Sequence, residues 1–502
     1  MMSHLIVMPI VLPLAAAVAL LMTRFGNPSY KRVLGLVTTV ALLLVSLLLL
    51  RQAAAGDIHY YALGDWQPPF GIVMVLDRLS ALMIFVTSLL AVGAVLFACG
   101  GDDEKGSNFH GLFQLQLMGI NGAFLTGDLF NLFVFFEVLL LASYALLVHG
   151  GGKGRIQSAV HYAVLNLAGS ALFLFAVGLL YGATGTLNMA DMAQAVSQLP
   201  SERQGMVVAG ALLLLVVFGL KAAILPLYFW LPRAYASAPP PVAALFAVMT
   251  KIGVYAILRV YWLIFGDQAG PLEALEQSWV WWLALGTLAI SGIGVLAARD
   301  LRLLVAYLVL VSVGTLLAGV GMRSPAAVSG LLFYLVHTTL VTGGLFLLAD
   351  MIGTQRGKAG TRLVRGRVPH NATALGLMFV IGGMAVAGLP PLSGAFGKVM
   401  LMSAGDSDQR LWFWPLLLGT GLCAIVALSR AGSTLFWRSQ ASDDGEPLSA
   451  WQWAGTGWLL AASPLLVVLA GPLAGYTEAT AEQLTNPEPM LRAVLMQQGD
   501  AP

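Results

Sequence analysis

Charged side chains are scarce in this chain. The 502 residues include 26 Lys and Arg and 24 Asp and Glu, so charged residues make up 10% of the sequence, against about 25% in an average soluble domain. Hydrophobic residues make up 58%, and the mean hydropathy is +0.84. A soluble fold of this composition would expose large apolar patches. The sequence therefore predicts a polytopic membrane protein rather than a soluble enzyme, and a net charge of +2 offers no basic surface for nucleic acid.

Cysteine and ligand-binding motifs are equally scarce. The two cysteines, Cys99 and Cys423, lie far apart in apolar segments, which argues against a disulfide framework, a zinc site or an iron–sulfur centre. The sequence has no glycine-rich nucleotide loop and no cluster with metal-ligand spacing. We therefore expect neither a cofactor nor a metal.

Apolar segments long enough to cross a bilayer occur fourteen times, since a spanning helix needs about 20 mainly apolar residues. They lie at 5–23, 33–50, 79–98, 111–127, 129–148, 158–181, 206–232, 242–265, 279–298, 303–322, 326–349, 372–403, 411–429 and 454–475. The first lacks an A-x-A cleavage site and is interpreted as a retained helix rather than a signal peptide. Two are over-long and contain prolines, namely Pro226 in one and Pro390 and Pro391 in the other. Because proline removes a helical hydrogen bond, we expect each of these two helices to be broken.

Loop charges predict the orientation, because Lys and Arg concentrate in cytoplasmic loops. The loops after odd-numbered segments hold Arg24, Lys31, Arg32, Lys105, Lys153, Arg155, Arg233, Arg299, Arg302, Arg356, Lys358, Arg362, Arg365, Arg367, Arg430 and Arg438, whereas the other loops and the tail hold Arg51, Arg78, Arg203, Arg323, Arg410 and Arg492. This asymmetry predicts a prokaryotic-type cell (inner) membrane protein with both termini on the outer, periplasmic side.

The broken segments each stand fourth in a set of five, segments 4–8 and 9–13. Two tandem units of five helices must have opposite topology, as in inverted-repeat transporters. We therefore predict an all-α polytopic membrane protein with about 14 transmembrane helices and two inverted five-helix repeats, each containing a broken helix. Its parts are residues 1–100 with helices 1–3, 110–265 as the first repeat, 278–440 as the second, and 450–502 as the last helix and tail.

A few ionisable residues remain inside the predicted spans: Glu137, His161, Lys221, Lys251, Arg259, His337 and Lys398. A charge at the bilayer centre costs about 2.5–3.5 kcal/mol on insertion scales, so such residues pair with one another or line a wet path. Desolvation favours the neutral form of a buried lysine or glutamate, whereas a nearby opposite charge favours the charged form. The two protonation states then lie close in free energy, as proton transfer requires. Arginine does not deprotonate, so we expect Arg259 to snorkel near a helix end. A static ion pair between Glu137 and Lys221 remains the structural alternative.

Long motifs surround these residues. KAAILPLYFWLPRAYASAPPPVAAL at 221–245 continues to KIGVYAILR at 251–259, and GLPPLSGAFGK at 388–398 corresponds to it in the second repeat. They closely resemble the antiporter-like proton-translocating subunits shared by respiratory complex I, membrane-bound hydrogenases and Mrp-type antiporters. TGDLFN at 126–131 and YGATGTLNMAD at 181–191 look most like the D-type subunits of the Mrp-type multisubunit Na⁺/H⁺ antiporters. Lysine at 398 favours the same branch over complex I.

The resemblance implies a role for each matching residue. Glu137 would pair with Lys221 and modulate it, Lys251 would be the central carrier, His337 would relay the proton, and Lys398 would end the path. For His161 the resemblance implies a weaker role, at the entry side where protons are taken up. Many relatives carry a further lysine near Thr342, whereas this chain has no Lys or Arg between Arg323 and Arg356. The relay would then depend on His337, on hydroxyls such as Thr338, Thr339 and Thr342, and on water.

The function implied is proton translocation in a multisubunit monovalent cation (Na⁺)/H⁺ antiporter, a secondary transporter rather than an enzyme. The partners implied are the other subunits of a hetero-oligomeric complex, the lipid bilayer, protons and monovalent cations. We expect sodium to cross largely elsewhere in the complex. Two alternatives stay open: a proton-pumping subunit of complex I or a membrane-bound hydrogenase, and a scaffold whose buried charges only hold helices together.

Overall fold

The computed structural model describes residues 3–23, 27–437 and 447–495. The described residues do not include Arg24 and Arg438, nor residues 1–2, 438–440 and 496–502 of the predicted parts. The helices are α1 (Met8–Met22), α2 (Pro28–Ala53), α3 (Arg78–Ala98), α4 (Phe109–Leu125), α5 (Leu129–Leu147), α6 (Lys153–Thr184), α7 (Met189–Ser197), α8 (Ser201–Ala222), α9 (Leu231–Ser237), α10 (Pro240–Phe246), α11 (Met249–Ile264), α12 (Gln277–Ala297), α13 (Leu301–Gly321), α14 (Pro325–Gln355), α15 (Ala372–Ala387), α16 (Ser393–Ala404), α17 (Ser407–Gly432), α18 (Ala450–Leu460), α19 (Ala462–Val468), α20 (Ala470–Thr485) and α21 (Glu488–Leu495). A short antiparallel hairpin, β1 (His59–Ala62) and β2 (Val73–Leu76), pairs His59 with Leu76 and Ala62 with Val73.

The chain is a polytopic, mainly helical membrane protein. Within the described residues, eleven helices are long and apolar enough to cross a membrane, or up to twelve if the bent pair Ala450–Val468 and Ala470–Thr485 is one span. This pair bends by 84°. Helix α4 has 17 residues and α15 has 16, so both fall short of the length of a typical span. The general class is therefore as predicted, whereas the count of fourteen remains a prediction.

Both proline-containing segments are broken as expected. The first ends as α8 at Ala222 and resumes as α9 at Leu231, with Pro226 between them. The second ends as α15 at Ala387 and resumes as α16 at Ser393, after Pro390 and Pro391. The chain therefore leaves helical carbonyl groups unpaired inside the apolar layer, where protein or water must satisfy them.

Helices α10, α11 and α14 form the centre of the molecule. The apolar windows of Pro240–Ile264 and of α14 are entirely buried, whereas only about a third of those in α2 and Ser407–Trp437 is buried. A spanning helix that is buried on every side contacts protein rather than lipid. Polar side chains on α11 and α14 therefore face other helices.

A cluster of charged side chains joins α2 to the turn between α3 and α4. Asp103 accepts hydrogen bonds from Arg32 Nε at 2.7 Å and from Arg32 Nη2 at 2.8 Å, and its Oδ2 lies 3.1 Å from His110 Nε2. Burial by itself would raise the pKa of Asp103, but the bonds from Arg32 and His110 outweigh burial and lower this pKa to about 2. The carboxylate therefore stays charged at neutral pH and holds the turn.

Candidate functional site

Glu137 and Lys221 are connected through two small polar side chains of α6. The Ser170 hydroxyl donates to the Glu137 carboxylate, and Lys221 Nζ donates to Asn166 Oδ1 at 3.1 Å. Ser170 and Asn166 lie one helical turn apart, and Ser170 Oγ also lies 3.0 Å from the Asn166 carbonyl oxygen. Glu137 and Lys221 form no ion pair within 4 Å in this part of the described chain. The predicted partners therefore meet through Ser170 and Asn166 rather than directly.

The break after α8 fixes the position of Lys221. This lysine stands in the last turn of α8 and is 5% exposed. Trp230 Nε1 donates to the Leu220 carbonyl at 3.1 Å, and the Thr287 hydroxyl accepts from the Leu225 amide at 2.8 Å. The Leu220 carbonyl also accepts from the Ala223 amide at 3.2 Å, so Trp230 adds a second bond at the helix end, whereas Thr287 pairs an amide that lies beyond the helix.

Helices α8 and α11 meet without an intervening side chain. A Cβ atom at Gly253 would lie 2.8 Å from Ala222 Cα and closer still to the Ala222 amide nitrogen, so only glycine allows this approach. Lys251, one half-turn earlier, is fully buried, and its Nζ donates to Ser312 Oγ at 3.2 Å. Close backbone packing therefore brings the helix of Lys251 against the end of the helix of Lys221.

A small cavity lies beside Lys221. Its volume is about 10 Å³, and Asn166, Lys221 and Met249 are among its lining residues. A cavity of this size has room for about one water molecule. Met249 stands two residues before Lys251, so the cavity extends from Lys221 toward the helix that carries the next lysine.

Several buried polar atoms nearby have no protein partner. In the described residues these include Gln116 Oε1, Thr250 Oγ1, Thr338 Oγ1 and His337 Nε2. Buried polar atoms are nearly always hydrogen-bonded to protein or water. Water bound beside these atoms on α4, α11 and α14 would satisfy them.

His337 lies in the fully buried middle of α14. Its Nδ1 is 2.7 Å from Ser393 Oγ, at the start of α16. A Cβ atom at Gly394 would lie 2.8 Å from His337 Nε2, so glycine at 394 allows α16 to approach the ring. Thr342, one turn further, donates to the Thr338 carbonyl at 2.6 Å and is fully buried.

Lys398 bonds to the end of α15. Its Nζ donates to the Ala387 carbonyl at 2.7 Å, and the Val386 carbonyl lies 3.5 Å away. Cations are favourable at a helix C-terminus, where carbonyl groups lack intrahelical partners. Gly388 has a φ of +85°, and a Cβ atom there would lie 2.8 Å from Lys398 Nζ. Glycine at 388 therefore permits both the helix end and the position of the lysine.

The expectation for Arg259 is wrong, whereas the uptake role implied for His161 stays a prediction. Arg259 does not snorkel: it is 4% exposed, and its guanidinium makes two bonds to Asp77, at 2.6 and 2.8 Å. Asp77 is the N-cap of α3, so this ion pair ties α3 to α11. His161 is exposed on α6 and contacts the Phe229 ring at a centroid distance of 5.9 Å. It therefore lies apart from the buried groups.

The residues that sequence reasoning missed are small and polar: Asn166, Ser170, Ser312 and Ser393. Each contacts one of the predicted ionisable residues. Their signal was a hydroxyl or amide inside an otherwise apolar span, which is common enough to pass unnoticed. In the parts of the chain that the structure describes, no group of three or more His, Cys, Asp or Glu residues could hold a metal.

Comparison with known proteins extends over the whole chain. The family described as NADH:quinone oxidoreductase/Mrp antiporter, TM, matches residues 126–423. A relative from Rhizobium meliloti (strain 1021), named as the D subunit of a probable K⁺/H⁺ antiporter, is 42% identical over 97% of this chain and 96% of its own. The D subunit of the Na⁺/H⁺ antiporter of Bacillus subtilis (strain 168) is 36% identical over 98% of this chain and 100% of its own.

Solved structures are similar over the same length. A chain of the Mrp complex from Dietzia sp. DQ12-45-1b superposes with a TM-score of 0.87 at 25% identity, covering 98% of this chain and 99% of that one. A chain of an archaeal membrane-bound sulfane sulfur reductase gives 0.89 at 25% identity, with the same coverage. The chain therefore belongs to the NADH:quinone oxidoreductase/Mrp antiporter transmembrane family, and within it to the D-type antiporter subunits.

Proposed function

We propose that this chain is the proton-translocating membrane subunit of a multisubunit monovalent cation/proton antiporter in the cell membrane. It is a secondary-transporter subunit rather than an enzyme, and its partners are the other subunits of that complex. The observation that carries the proposal is a buried polar path, defined here as Glu137, Lys221, Lys251, His337 and Lys398. Four of these side chains are at most 8% exposed, and the relatives are named as antiporter subunits.

The path joins the two broken helices through the centre of the molecule. Lys221 stands at the break after α8 and Lys398 follows the break after α15. Lys251 and His337 lie between them in sequence, on the buried helices α11 and α14. A proton would pass from Glu137 and Lys221 to Lys251, then to His337 and Lys398, through hydroxyls such as Thr338 and Thr342 and through water.

The finer topology belongs to the same proposal. Fourteen spans result if α4, the broken pair α15–α16 and the bent pair ending in α20 each cross the membrane along with the eleven longer helices. Parts 110–265 and 278–440 would then be inverted repeats, flanked by 1–100 and 450–502. The excess of Lys and Arg in the loops after odd-numbered segments supports an orientation with both termini on the outer side. His161 would act at the exposed surface of α6, near proton uptake.

Antiport by the whole complex in everted vesicles tests the function. We expect Lys251→Ala and Lys221→Ala to lower cation-dependent proton efflux at least tenfold without loss of assembled complex. Lys358→Ala, in an exposed loop, is the control and should keep the wild-type rate. An intact Lys251→Ala complex with full antiport would instead make the buried charges a scaffold.

The cation is tested in the same vesicles. One relative is named for K⁺ and another for Na⁺, so each salt is added separately; we propose Na⁺ as a coupling cation that crosses largely elsewhere in the complex. Transport of sodium by this chain alone in vesicles would contradict that route.

A redox-driven proton pump is the second candidate, because the sulfane sulfur reductase chain has a TM-score of 0.89. Purification of the native complex distinguishes the antiporter from the redox-driven pump, because redox subunits in the purified complex would support the pump.

A further inference from the structure

A lateral groove opens beside the bend between α19 and α20. It is formed by α2, α3, α14 and the bent helix pair, with Leu50, Leu82, Leu340, Leu465 and Tyr476 among its lining residues. Its volume is about 500 Å³, within the range of about 300–1,000 Å³ that is usual for sites of small ligands. The lateral groove is therefore large enough to hold a ligand of its own.

The walls of the lateral groove offer no free hydrogen-bond donor. Trp458 and Tyr476 are its two lining side chains with polar atoms, and the others are apolar. Trp458 Nε1 donates to the Leu89 carbonyl at 2.9 Å, and the Tyr476 hydroxyl donates to the Arg78 carbonyl at 2.9 Å. An occupant therefore gains hydrophobic and dispersion contacts, which an alkyl chain supplies along its whole length.

The floor of the lateral groove is buried, and one side is open. Leu82 and Leu340 on the floor are 3% exposed, whereas Leu465 and Leu469 at the open side are 56% and 44% exposed. Helix α3 and the bent pair are both apolar enough to cross a membrane. The open side is therefore at the depth of the hydrocarbon layer, where acyl chains can enter from the side.

Arg78 marks one end of the lateral groove. It precedes Leu82 by one turn of α3, and its guanidinium carbon lies 5.7 Å from the centre of the Tyr476 ring. Its Nη2 donates to the carbonyl of Ala54, one turn after Leu50 on α2. Three walls of the groove therefore converge on this arginine.

The charge of Arg78 has no counter-charge on the protein. In the part of the chain that the structure describes, no carboxylate lies within 4 Å of its guanidinium, because the adjacent Asp77 pairs with Arg259. A guanidinium has five N–H donors, and only one bond from this side chain, to Ala54, is formed. Arg78 therefore keeps donors available for an anion at the end of an apolar groove.

We infer that the lateral groove binds one acyl chain of a phospholipid whose phosphate contacts Arg78. From Arg78 to Leu89, α3 rises about 16 Å, and half of the hydrocarbon core of a bilayer is about 15 Å thick. A phosphate forms charge-assisted hydrogen bonds with a guanidinium, whereas an apolar helix of another subunit would leave Arg78 without a counter-charge. The inference goes beyond the proposed function, because lipid binding here does not depend on proton transfer.

The test is photolabelling of the complete complex in vesicles with a phosphatidylglycerol that carries a diazirine on one acyl chain. Mass spectrometry of the labelled peptides should find the label on α3 between Leu82 and Leu89 and on α19. A diacylglycerol with the same diazirine chain lacks the phosphate. It should label these segments about fivefold less, since one arginine near anionic lipid contributes about that factor.

Two substitutions of arginine test the contact with the phosphate. Arg78→Gln keeps an N–H donor for the Ala54 carbonyl but removes the charge, so labelling by the phosphatidylglycerol should fall about fivefold. Arg410→Gln is the matched control, because Arg410 is exposed and also donates to a backbone carbonyl, that of Ser403, at 2.9 Å. It should leave the labelling of the groove at the wild-type level.

Two substitutions on α19 test occupancy of the groove itself. Ala462→Trp places a large side chain in the lining and should abolish the label, whereas Val468→Trp adds the same side chain at a position that is 79% exposed and outside the lining. Equal labelling by the two probes in the wild type, or unchanged labelling in Arg78→Gln or in Ala462→Trp, would overturn the inference.

A wild-type complex without label in the lateral groove would also overturn the inference, as expected if a helix of another subunit fills the groove. The comparison of the two probes needs no variant, so it gives an answer even if Ala462→Trp fails to assemble. None of these measurements depends on antiport, so this inference and the proposed function can fail separately.

Discussion

Alanine at position 388 should displace Lys398 without removing it. The backbone at Gly388 has a φ of +85°, and an added Cβ would lie 2.6 Å from Lys398 Cδ and 2.8 Å from Nζ. The lysine must move away and lose its 2.7 Å bond to the Ala387 carbonyl. A hydrogen bond from a charged group is worth about 1.5–3 kcal/mol, and a left-handed non-glycine residue adds about 1–2 kcal/mol of strain. Loss of this hydrogen bond alone should lower the fraction of molecules with Lys398 in its present position about 10- to 100-fold.

A Gly185→Ala variant is the control that distinguishes backbone strain from displacement of Lys398. It ends α6 with a φ of +79°, and a Cβ there would meet no atom within 4 Å. Gly185→Ala therefore introduces the same backbone strain far from any lysine contact. In everted vesicles with equal amounts of complex, Gly388→Ala should lose antiport at least tenfold while Gly185→Ala stays near wild type. Equal rates in the two variants would refute the role of the Lys398–carbonyl bond.

Two further substitutions test the site and its support. Asn166→Leu removes the amide oxygen bonded to Lys221, so antiport should fall about tenfold. Asn121→Leu is the control for loss of a buried amide, because Asn121 bonds to the Pro9 carbonyl instead. A normal rate in Asn166→Leu would contradict a role for the bond between Asn166 and Lys221. Asp77→Asn leaves Arg259 buried without a counter-charge, which costs about 3–5 kcal/mol, so thermal stability and yield of the complex should fall sharply. The double variant Asp77→Leu/Arg259→Met should recover part of that stability, and a wild-type melting temperature in Asp77→Asn would show that the pair contributes little.

Long-range apolar patterning made the general architecture predictable. Each predicted apolar segment overlaps a helix, and the prolines at 226, 390 and 391 correctly marked both breaks. Burial of Lys221, Lys251 and His337 was also predictable, because uncompensated charge inside an apolar span demands an internal location.

Partners distant in sequence could not be predicted in the same way. Arg259 binds Asp77, 182 positions away, and a snorkelling arginine has the same local sequence as a paired one. His161 stands in an α6 whose apolar residues are spread around the helix, so periodicity gave no indication of which face packs against protein. Asn166 and Ser170 acquire their importance only because folding places α5 and α8 on either side of α6.

The glycine contact between α11 and α8 has a mechanical consequence. Because the Gly253 backbone rests directly on Ala222, no flexible side chain lies between the two helices at this point. The distance between the backbones that carry Lys221 and Lys251 is therefore limited by a direct main-chain contact. Closer approach of the two amines then requires a rotamer change of one lysine rather than closer approach of the two helices.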